Sequence, residues 1–328
     1  MFFGKKSSSI DPNDEHRDFR LLESIVKDAF EEQKKSRRWG VLFKSLTFAY
    51  LFFALLMVFI GASRSSVPGL SNKPHTAVVR IDGVIADQEP ASGAKLNTAL
   101  RNAFDNEYAV AVMLVMNTPG GSPVQSAYVY DEILRLSALH PSKKVYAVIK
   151  DIGASGGYYI ASAAHEIYAN RSSLVGSIGV TASSFGFVEV MDKLGIERRH
   201  FTAGEHKAFL DPFSPLKPEE KAFWNDVLAS THTQFIDAVQ KGRGDRLKLN
   251  DTITSGLIWN GEQALALGLV DGLGSPSYVA RDIIGTEDMV DYTLRESRLQ
   301  ALLNDLALST GKGMARYIVN HQTGIELR

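Results

Sequence analysis

The stretch that decides the fold class is Ala109-Val-Ala-Val-Met-Leu-Val-Met-Asn-Thr-Pro-Gly-Gly121. Its first eight residues are almost continuously apolar, which is typical of a buried parallel strand. The glycine turn leads into a predicted helix over 122–139, because Ser122 and Pro123 suit a helix cap and first turn. A strand, a turn and a helix in this order form the repeating unit of an α/β domain.

The same pattern continues on both sides of this stretch. A second glycine turn, Asp151-Ile-Gly-Ala-Ser-Gly-Gly157, follows another short apolar run and precedes another helical run. Strands that alternate with helices predict a parallel sheet built from crossover units. The predicted strands cover 77–85, 109–116, 144–149, 167–169 and 178–180, and the predicted helices cover 96–104, 122–139, 155–164 and 218–241.

Both glycine turns lie between a strand and a helix, where backbone N–H groups can hold a phosphate or a developing oxyanion. The first turn lacks the Lys-Ser/Thr of a P-loop, and neither turn has the G-x-G-x-x-G spacing. The second turn places Ser155 among small residues, which favours an exposed nucleophile at a sharp turn. The alternative from spacing alone is that Ser155 only caps the helix.

A nucleophilic serine needs a base, and histidine or lysine can supply one. His206 and Lys207 are adjacent candidates, followed by an apolar stretch that can shield a lysine from water. The residue types alone do not decide between them.

Composition excludes several other classes. The 328 residues have a formal net charge of −1, with 45 % hydrophobic and 22 % charged residues, as in a globular protein. A net charge near zero gives no reason to expect nucleic-acid binding. Because the chain has no cysteine, disulfides and thiolate metal sites are excluded.

The run 39–62 is the longest apolar stretch, and its length suits a helix that spans a bilayer. Several basic residues precede it, so the positive-inside rule predicts a cytoplasmic N-terminus. A cleaved signal peptide is the competing interpretation, with Gly61-Ala62-Ser63 as a possible cleavage site; the long polar stretch before the run favours an uncleaved anchor. Residues 11–35 predict an amphipathic helix, either a solvated arm or a surface that binds a partner or the membrane.

Four segments in order resemble signal peptide peptidase A and its SohB-type relatives, a family of Ser-Lys peptidases with the ClpP/crotonase-like α/β fold. The segments are Asn117-Thr-Pro-Gly-Gly121, Asp151-Ile-Gly-Ala-Ser-Gly-Gly-Tyr-Tyr-Ile-Ala161, Val175-Gly-Ser-Ile-Gly-Val180 and Thr202-Ala-Gly-Glu-His-Lys-Ala208. The family's more frequent serine is Thr118 here, and the polar N-terminal arm is unusually long.

The resemblance implies a role for each matching residue. Ser155 corresponds to the nucleophile and Lys207 to the general base. Gly120 or Gly121, together with Gly156, corresponds to the donors of the oxyanion hole. Ser177 corresponds to a serine that orients the lysine, with an ordinary turn serine as the alternative. No metal or cofactor is implied.

The resemblance also implies partners and a location. The family's short, single-domain members form homo-oligomeric rings in which Ser and Lys can come from neighbouring subunits, and their substrates are apolar, membrane-derived peptides such as cleaved signal peptides. We therefore expect a single-pass protein of the bacterial inner membrane with a periplasmic domain. The expected segments are a cytoplasmic arm (1–38), an anchor (39–62), a linker (63–76), a peptidase domain (77–290) and a helical extension (291–328).

Two other classes remain open on the same fold. An acyl-CoA enzyme would use the same turns with a carboxylate base and no nucleophilic serine. A non-catalytic membrane scaffold would keep the fold without turnover.

Overall fold

The structure is a computed structural model that describes residues 12–63, 71–248 and 250–294. The chain divides into two compact units. Within the described residues, the first unit is one helix, α1 (Pro12–Ser63), and the second is an α/β domain over 71–294.

Helix α1 is continuous for 52 residues, a length of about 78 Å at the α-helical rise. Its stretch Phe30–Met57 has a mean hydropathy of 1.8 and is unburied, so it is long and apolar enough to cross a membrane. The predicted helix over 11–35 and the predicted anchor over 39–62 are therefore parts of one helix. No break separates them at residue 38.

The second unit alternates strands with helices, as the sequence predicts. Its strands are β1 (His75–Asp82), β2 (Ala109–Thr118), β3 (Val145–Ala154), β4 (Glu166–Ala169), β5 (Leu174–Gly176), β6 (Ile258–Asn260), β7 (Gly272–Leu273) and β8 (Met289–Asp291). Its helices are α2 (Gly93–Asp105), α3 (Pro123–Leu139), α4 (Gly156–Ala161), α5 (Val188–Leu194), α6 (Pro218–Arg243), α7 (Gly261–Ala266) and α8 (Pro276–Tyr278). A 3₁₀ turn covers Gly244–Arg246 and a π-helical turn covers Val279–Ile284.

The strands of the described domain form one sheet in the order β6-β5-β3-β2-β1-β8, with β4 bridging β3 and β7. All neighbouring pairs are parallel except β5 and β6. Parallel neighbours require crossover connections, and α2 and α3 supply them between β1, β2 and β3. The carboxyl ends of β2 and β3 therefore lie side by side, with Thr118 opposite Gly153.

Strand β3 divides the sheet on its other side. Its residues 146–149 pair with β4, whereas its residues 152–154 pair with β5. The sheet branches at this point, and the last residues of β3 are enclosed between β2 and β5. Ser155 follows immediately, so both neighbouring strands hold the backbone that precedes it.

Both faces of the central strands are covered, which explains why β2 is almost continuously apolar. On one face of the sheet, buried side chains such as Leu114 and Ile149 belong to one cluster with residues of α2, α3 and α6. The opposite cluster, including Met113 and Val148, packs against the Val279–Ile284 turn.

The structure corrects several predicted boundaries. The strand expected at 178–180 is wrong: β5 ends at Gly176, because Ser177 has a φ of 52° that breaks the extended backbone. Strand β3 runs on to Ala154, beyond the predicted end at 149, because β5 pairs with its last residues. Helix α4 is shorter than the predicted 155–164.

Only some of the predicted boundaries at the two ends of the peptidase domain fall within the described residues. Strand β1 begins at His75, two residues before the predicted start of the domain at 77. Much of the predicted linker (63–76) and of the C-terminal extension (291–328) lies outside the described residues, since 64–70 and 295–328 are not described. The helix expected within that extension, over 295–308, also lies outside them.

A buried ion pair joins α6 to the loop before β7. The guanidinium of Arg243 donates to Asp271 at 2.7 and 2.9 Å and to the carbonyl of Gly268 at 3.0 Å, with its side chain fully buried. Burial by itself raises the pKa of Asp271, but hydrogen bonds from Arg243 and from the backbone of Ile167 lower it below the ordinary value. The pair therefore stabilises the fold above the ordinary aspartate pKa and loses this contribution as the pH falls through the lowered pKa.

We predict that Arg243→Ala lowers the free energy of unfolding by about 3 kcal/mol, because it removes the main partner of a half-buried carboxylate. Urea unfolding at neutral pH measures this change. Arg199→Ala is the control: its ion pair with Glu197 is 74 % exposed on both sides, so its removal should change stability by less than about 0.5 kcal/mol. Equal stability of the two variants would contradict a structural role for the buried pair.

Candidate active site

Ser155 joins β3 to α4 in a strained backbone conformation. Its φ of 52° and ψ of −126° are rare for a residue with a side chain. The strain is held from both sides, since the N–H of Ser155 donates to the carbonyl of Gly176 at 2.8 Å and its carbonyl accepts from Tyr159 at 2.9 Å. Strained residues of this kind concentrate at functional sites. The arrangement is a sharp strand-to-helix turn, as predicted for an exposed nucleophile.

The first glycine turn lies directly against this serine. A Cβ added to Gly120 would lie 2.7 Å from both the Cβ of Ser155 and the backbone nitrogen of Gly156. A Cβ on Gly121 would lie 2.1 Å from the carbonyl oxygen of Ile85. Both glycines also have positive φ, at 99° and 153°. Only glycine fits here, and the two turns that were predicted to act together are in contact.

A cavity of about 700 Å³ opens beside Ser155. Helix α3 forms one wall, α6 forms another, and the backbone after β5 closes a third side. Of the predicted site residues, Gly121, Ser155, Gly156 and Ser177 line this cavity. Gly120 is not part of the lining and instead packs behind Ser155.

Gly156 begins α4, and the first N–H groups of a helix have no acceptor within the helix. A Cβ on Gly156 would lie 3.4 Å from the nitrogen of Gly121, so the backbones of these two residues are close to each other. Backbone N–H groups beside a serine are the kind of donor that can stabilise a tetrahedral oxyanion.

Ser177 reaches the cavity because the chain turns immediately after β5. Its φ is 52°, and its N–H donates to the carbonyl of Leu257 at 2.8 Å. The backbone of Gly176, one residue earlier, is the acceptor for Ser155. The two serines are therefore linked through a single residue of β5.

The two candidate bases are placed differently. His206 and Lys207 lie in the turns before α6, and both are exposed. The N–H of Lys207 donates to the carbonyl of Gly204 at 3.1 Å, which shapes the turn. Neither residue is among those that line the cavity. A single described chain thus assembles the serine and the glycine turns without a lysine or histidine in the lining.

The residues that form the walls of the cavity could not be identified from the sequence. Polar residues of α3 and α6 line it, among them Ser126, Asp131 and Gln234. Along the sequence these residues resemble the solvent-facing side of a surface helix. Only the helical spacing of Val124, Ala127 and Asp131, with the first beside the glycine turn, indicates a shared face.

Known proteins and family models with similar sequences identify the family of this chain. The family model described as Peptidase family S49 matches residues 137–284, which include Ser155 and Lys207. A protein of Synechocystis sp. named "Putative protease slr0021" is 31 % identical over 205 residues, covering 62 % of this chain and 72 % of that protein. "Putative signal peptide peptidase SppA" of Enterococcus faecium is 28 % identical over 239 residues, covering 70 % of this chain and 66 % of that protein.

A third relative is more similar but much longer. "Na(+)/H(+) antiporter NhaA" of Brucella melitensis is 45 % identical over 202 residues, which make up 60 % of this chain and 27 % of that protein. The chain thus spans little more than a quarter of that relative's length.

We predict that Gly120→Ala abolishes covalent labelling of Ser155 by a fluorophosphonate, because the added methyl group collides with Ser155 and Gly156. The labelling rate measures this effect. Gly83→Ala is the control, since Gly83 also has a positive φ (81°) but has open space around its Cβ position. This control should cost about 1 kcal/mol in backbone strain and keep the labelling rate. A normal labelling rate in Gly120→Ala would contradict the contact.

Proposed function

Because this chain belongs to peptidase family S49, of the signal peptide peptidase A type, we propose that it is a serine peptidase with Ser155 as its nucleophile. The observation that supports this assignment is the strained turn at Ser155, opening into a cavity between two glycine turns. An ordinary helix cap has no need of a positive φ or of a tightly packed second glycine turn.

In the proposed reaction, the hydroxyl of Ser155 loses its proton to the base and attacks the carbonyl carbon of the peptide bond. The N–H groups of Gly156 and Gly121 stabilise the negative charge on the carbonyl oxygen. The N–H of Gly120, the other predicted candidate, already donates to the Oγ1 of Thr118 at 3.1 Å. The base then protonates the leaving amine, and water hydrolyses the acyl-enzyme by the reverse sequence of proton transfers.

We assign the role of base to Lys207, supplied by a neighbouring subunit. A lysine acts as a base only where burial disfavours its charged form, and Lys207 is exposed in the single chain. An interface between subunits can supply that burial and bring the amine to Ser155. Ser177, at the edge of the same cavity, is placed to orient the arriving amine.

The surface around Lys207 supports assembly into a homo-oligomer. Residues 181–217 lie between β5 and α6, and none of the residues of α5 within them is buried. Their exposed side chains include Phe185 at 80 %, Leu194 at 66 % and Phe201 at 91 %. Exposed large apolar side chains are expected at interaction surfaces, and a ring of identical subunits would cover them.

Helix α1 supports attachment to a membrane. The basic residues before the run 39–62 predict a cytoplasmic N-terminus by the positive-inside rule. We therefore propose that the peptidase domain lies on the other side of the bacterial inner membrane. Apolar walls such as Val124 and Phe235 suit the proposed substrates, which are apolar peptides left in the membrane, such as cleaved signal peptides.

We predict that Ser155→Ala abolishes both fluorophosphonate labelling and hydrolysis of a quenched apolar peptide. Lys207→Ala should lower kcat/KM by about 10²-fold or more, the usual contribution of a positioned base. Both variants should unfold at the wild-type urea concentration, since neither side chain belongs to the core. Peptide turnover and labelling are measured on the full chain in detergent.

Two variants serve as comparisons for the lysine. Lys241→Ala removes an exposed lysine from the last turn of α6 and should retain wild-type activity. His206→Ala should retain most activity. If His206→Ala is inactive and Lys207→Ala is active, the base is His206 and not Lys207. A wild-type chain with neither labelling nor turnover would favour an acyl-CoA enzyme or a scaffold instead.

A further inference from the structure

The cavity beside Ser155 carries a single charge. Among the residues that line it, Asp131 is the one with a charged side chain. Neutral polar groups and apolar side chains make up the rest of the lining. A carboxylate in an otherwise neutral cleft favours a positively charged group on whatever binds there.

Asp131 lies at the far end of a stripe along α3. Val124, Ala127 and Asp131 follow one another at spacings of three and four residues, so they share one face of the helix. All three line the cavity. Val124 stands near the glycine turn and Ser155, and Asp131 lies about 10 Å farther along the helix axis. On this face of α3, the two residues between the glycine turn and the carboxylate that line the cavity, Val124 and Ala127, are apolar.

Aromatic side chains also line the cavity. Phe235 of α6 and Tyr159 of α4 both line the cavity, and their ring centroids are 5.1 Å apart. Tyr128, on α3, also lines it. Aromatic rings attract cations at their faces, so these side chains suit an aliphatic chain that ends in a positive charge.

No basic side chain of the described residues forms an ion pair with Asp131. Arg135, one helical turn farther along α3, is bound to Glu132 at 2.7 and 2.8 Å. Arg101 is bound to the same glutamate. Burial raises the pKa of Tyr159, and the charge of Asp131 raises it further, which places the carboxylate near this ring.

We infer that this cavity is a specificity pocket for a lysine or arginine side chain of the substrate, with Asp131 as its anionic partner. This inference rests on the proposed peptidase function. The aliphatic stem would lie against Val124, Ala127 and Phe235, and the cationic end would reach Asp131. Long basic side chains combine an apolar stem with a charged end, which matches the order of groups along the cavity.

The inference narrows the substrate class. An apolar pocket alone would accept any aliphatic residue, whereas this one selects peptides in which a basic residue lies close to the bond that is cut. Signal peptides contain such a boundary, where the positively charged n-region meets the apolar h-region. Cleavage near that boundary is the outcome that the pocket favours.

The test uses apolar quenched peptides in which one lysine or one norleucine is placed in turn at each of the four positions before the scissile bond. For the full chain in detergent, we expect one position at which lysine gives the higher kcat/KM. Asp131→Asn should lower this lysine-to-norleucine ratio about tenfold, equivalent to about 1.4 kcal/mol. A third peptide carries glutamate at that position. Asp131→Lys should give this glutamate peptide a higher kcat/KM than the lysine peptide.

Asp237→Asn is the matched control, because Asp237 is an exposed carboxylate of α6 outside the cavity lining. It should keep the wild-type ratio. The inference is overturned if no position prefers lysine, or if Asp131→Asn and Asp237→Asn give the same ratio.

A binding measurement separates this inference from the proposed function. In the Ser155→Ala background, fluorescence anisotropy compares the Kd of the lysine and norleucine peptides with and without Asp131→Asn. If the lysine peptide binds selectively through Asp131 but the wild-type chain does not hydrolyse it, the proposed peptidase activity is contradicted and the pocket is not. Hydrolysis with equal binding of both peptides would contradict the pocket alone.

Discussion

The contact between the Gly120-Gly121 turn and Ser155 is the constraint on which the proposed site depends. Parallel pairing places the ends of β2 and β3 side by side, and the two following turns must then share a small space. The absence of a Cβ at Gly120 lets the backbone of one turn touch the Cβ of Ser155 and the nitrogen of Gly156. The positive φ of Ser155 turns the chain sharply into α4. These features place Ser155, Gly121 and Gly156 around one cavity, on which the proposed oxyanion hole depends.

The branching of the sheet at β3 supports this contact. One half of β3 pairs with β4 and the other half with β5, so the residues before Ser155 are hydrogen-bonded on both sides. The same branching carries Ser177 to the cavity, because β5 ends where β3 ends. A strained serine persists only where its surroundings determine its conformation, and here strands on both sides do so.

The sequence predicts the elements whose pattern is local and strong. Strand β2, helix α3 and the serine turn follow from an apolar run, a helix cap and glycines. The end of β3 and the position of β5 depend on pairing between distant segments, which periodicity does not report. The cavity position of Asp131 could not be predicted for the same reason, since it depends on α6 lining the same cavity as this exposed residue of α3. The family resemblance implies that Lys207 is the base, but a single chain does not determine which subunit's serine it serves.

The most direct test of the account mixes two inactive subunits. Ser155→Ala and Lys207→Ala chains, each with its own tag, are co-expressed and mixed oligomers are purified through both tags. If each site takes its serine and lysine from different subunits, random mixing restores about a quarter of the sites, because identical head-to-tail interfaces then recur around the ring. Peptide turnover near that level is the predicted result. Verified mixed oligomers without turnover would contradict the pairing of Ser155 with Lys207 across a subunit interface.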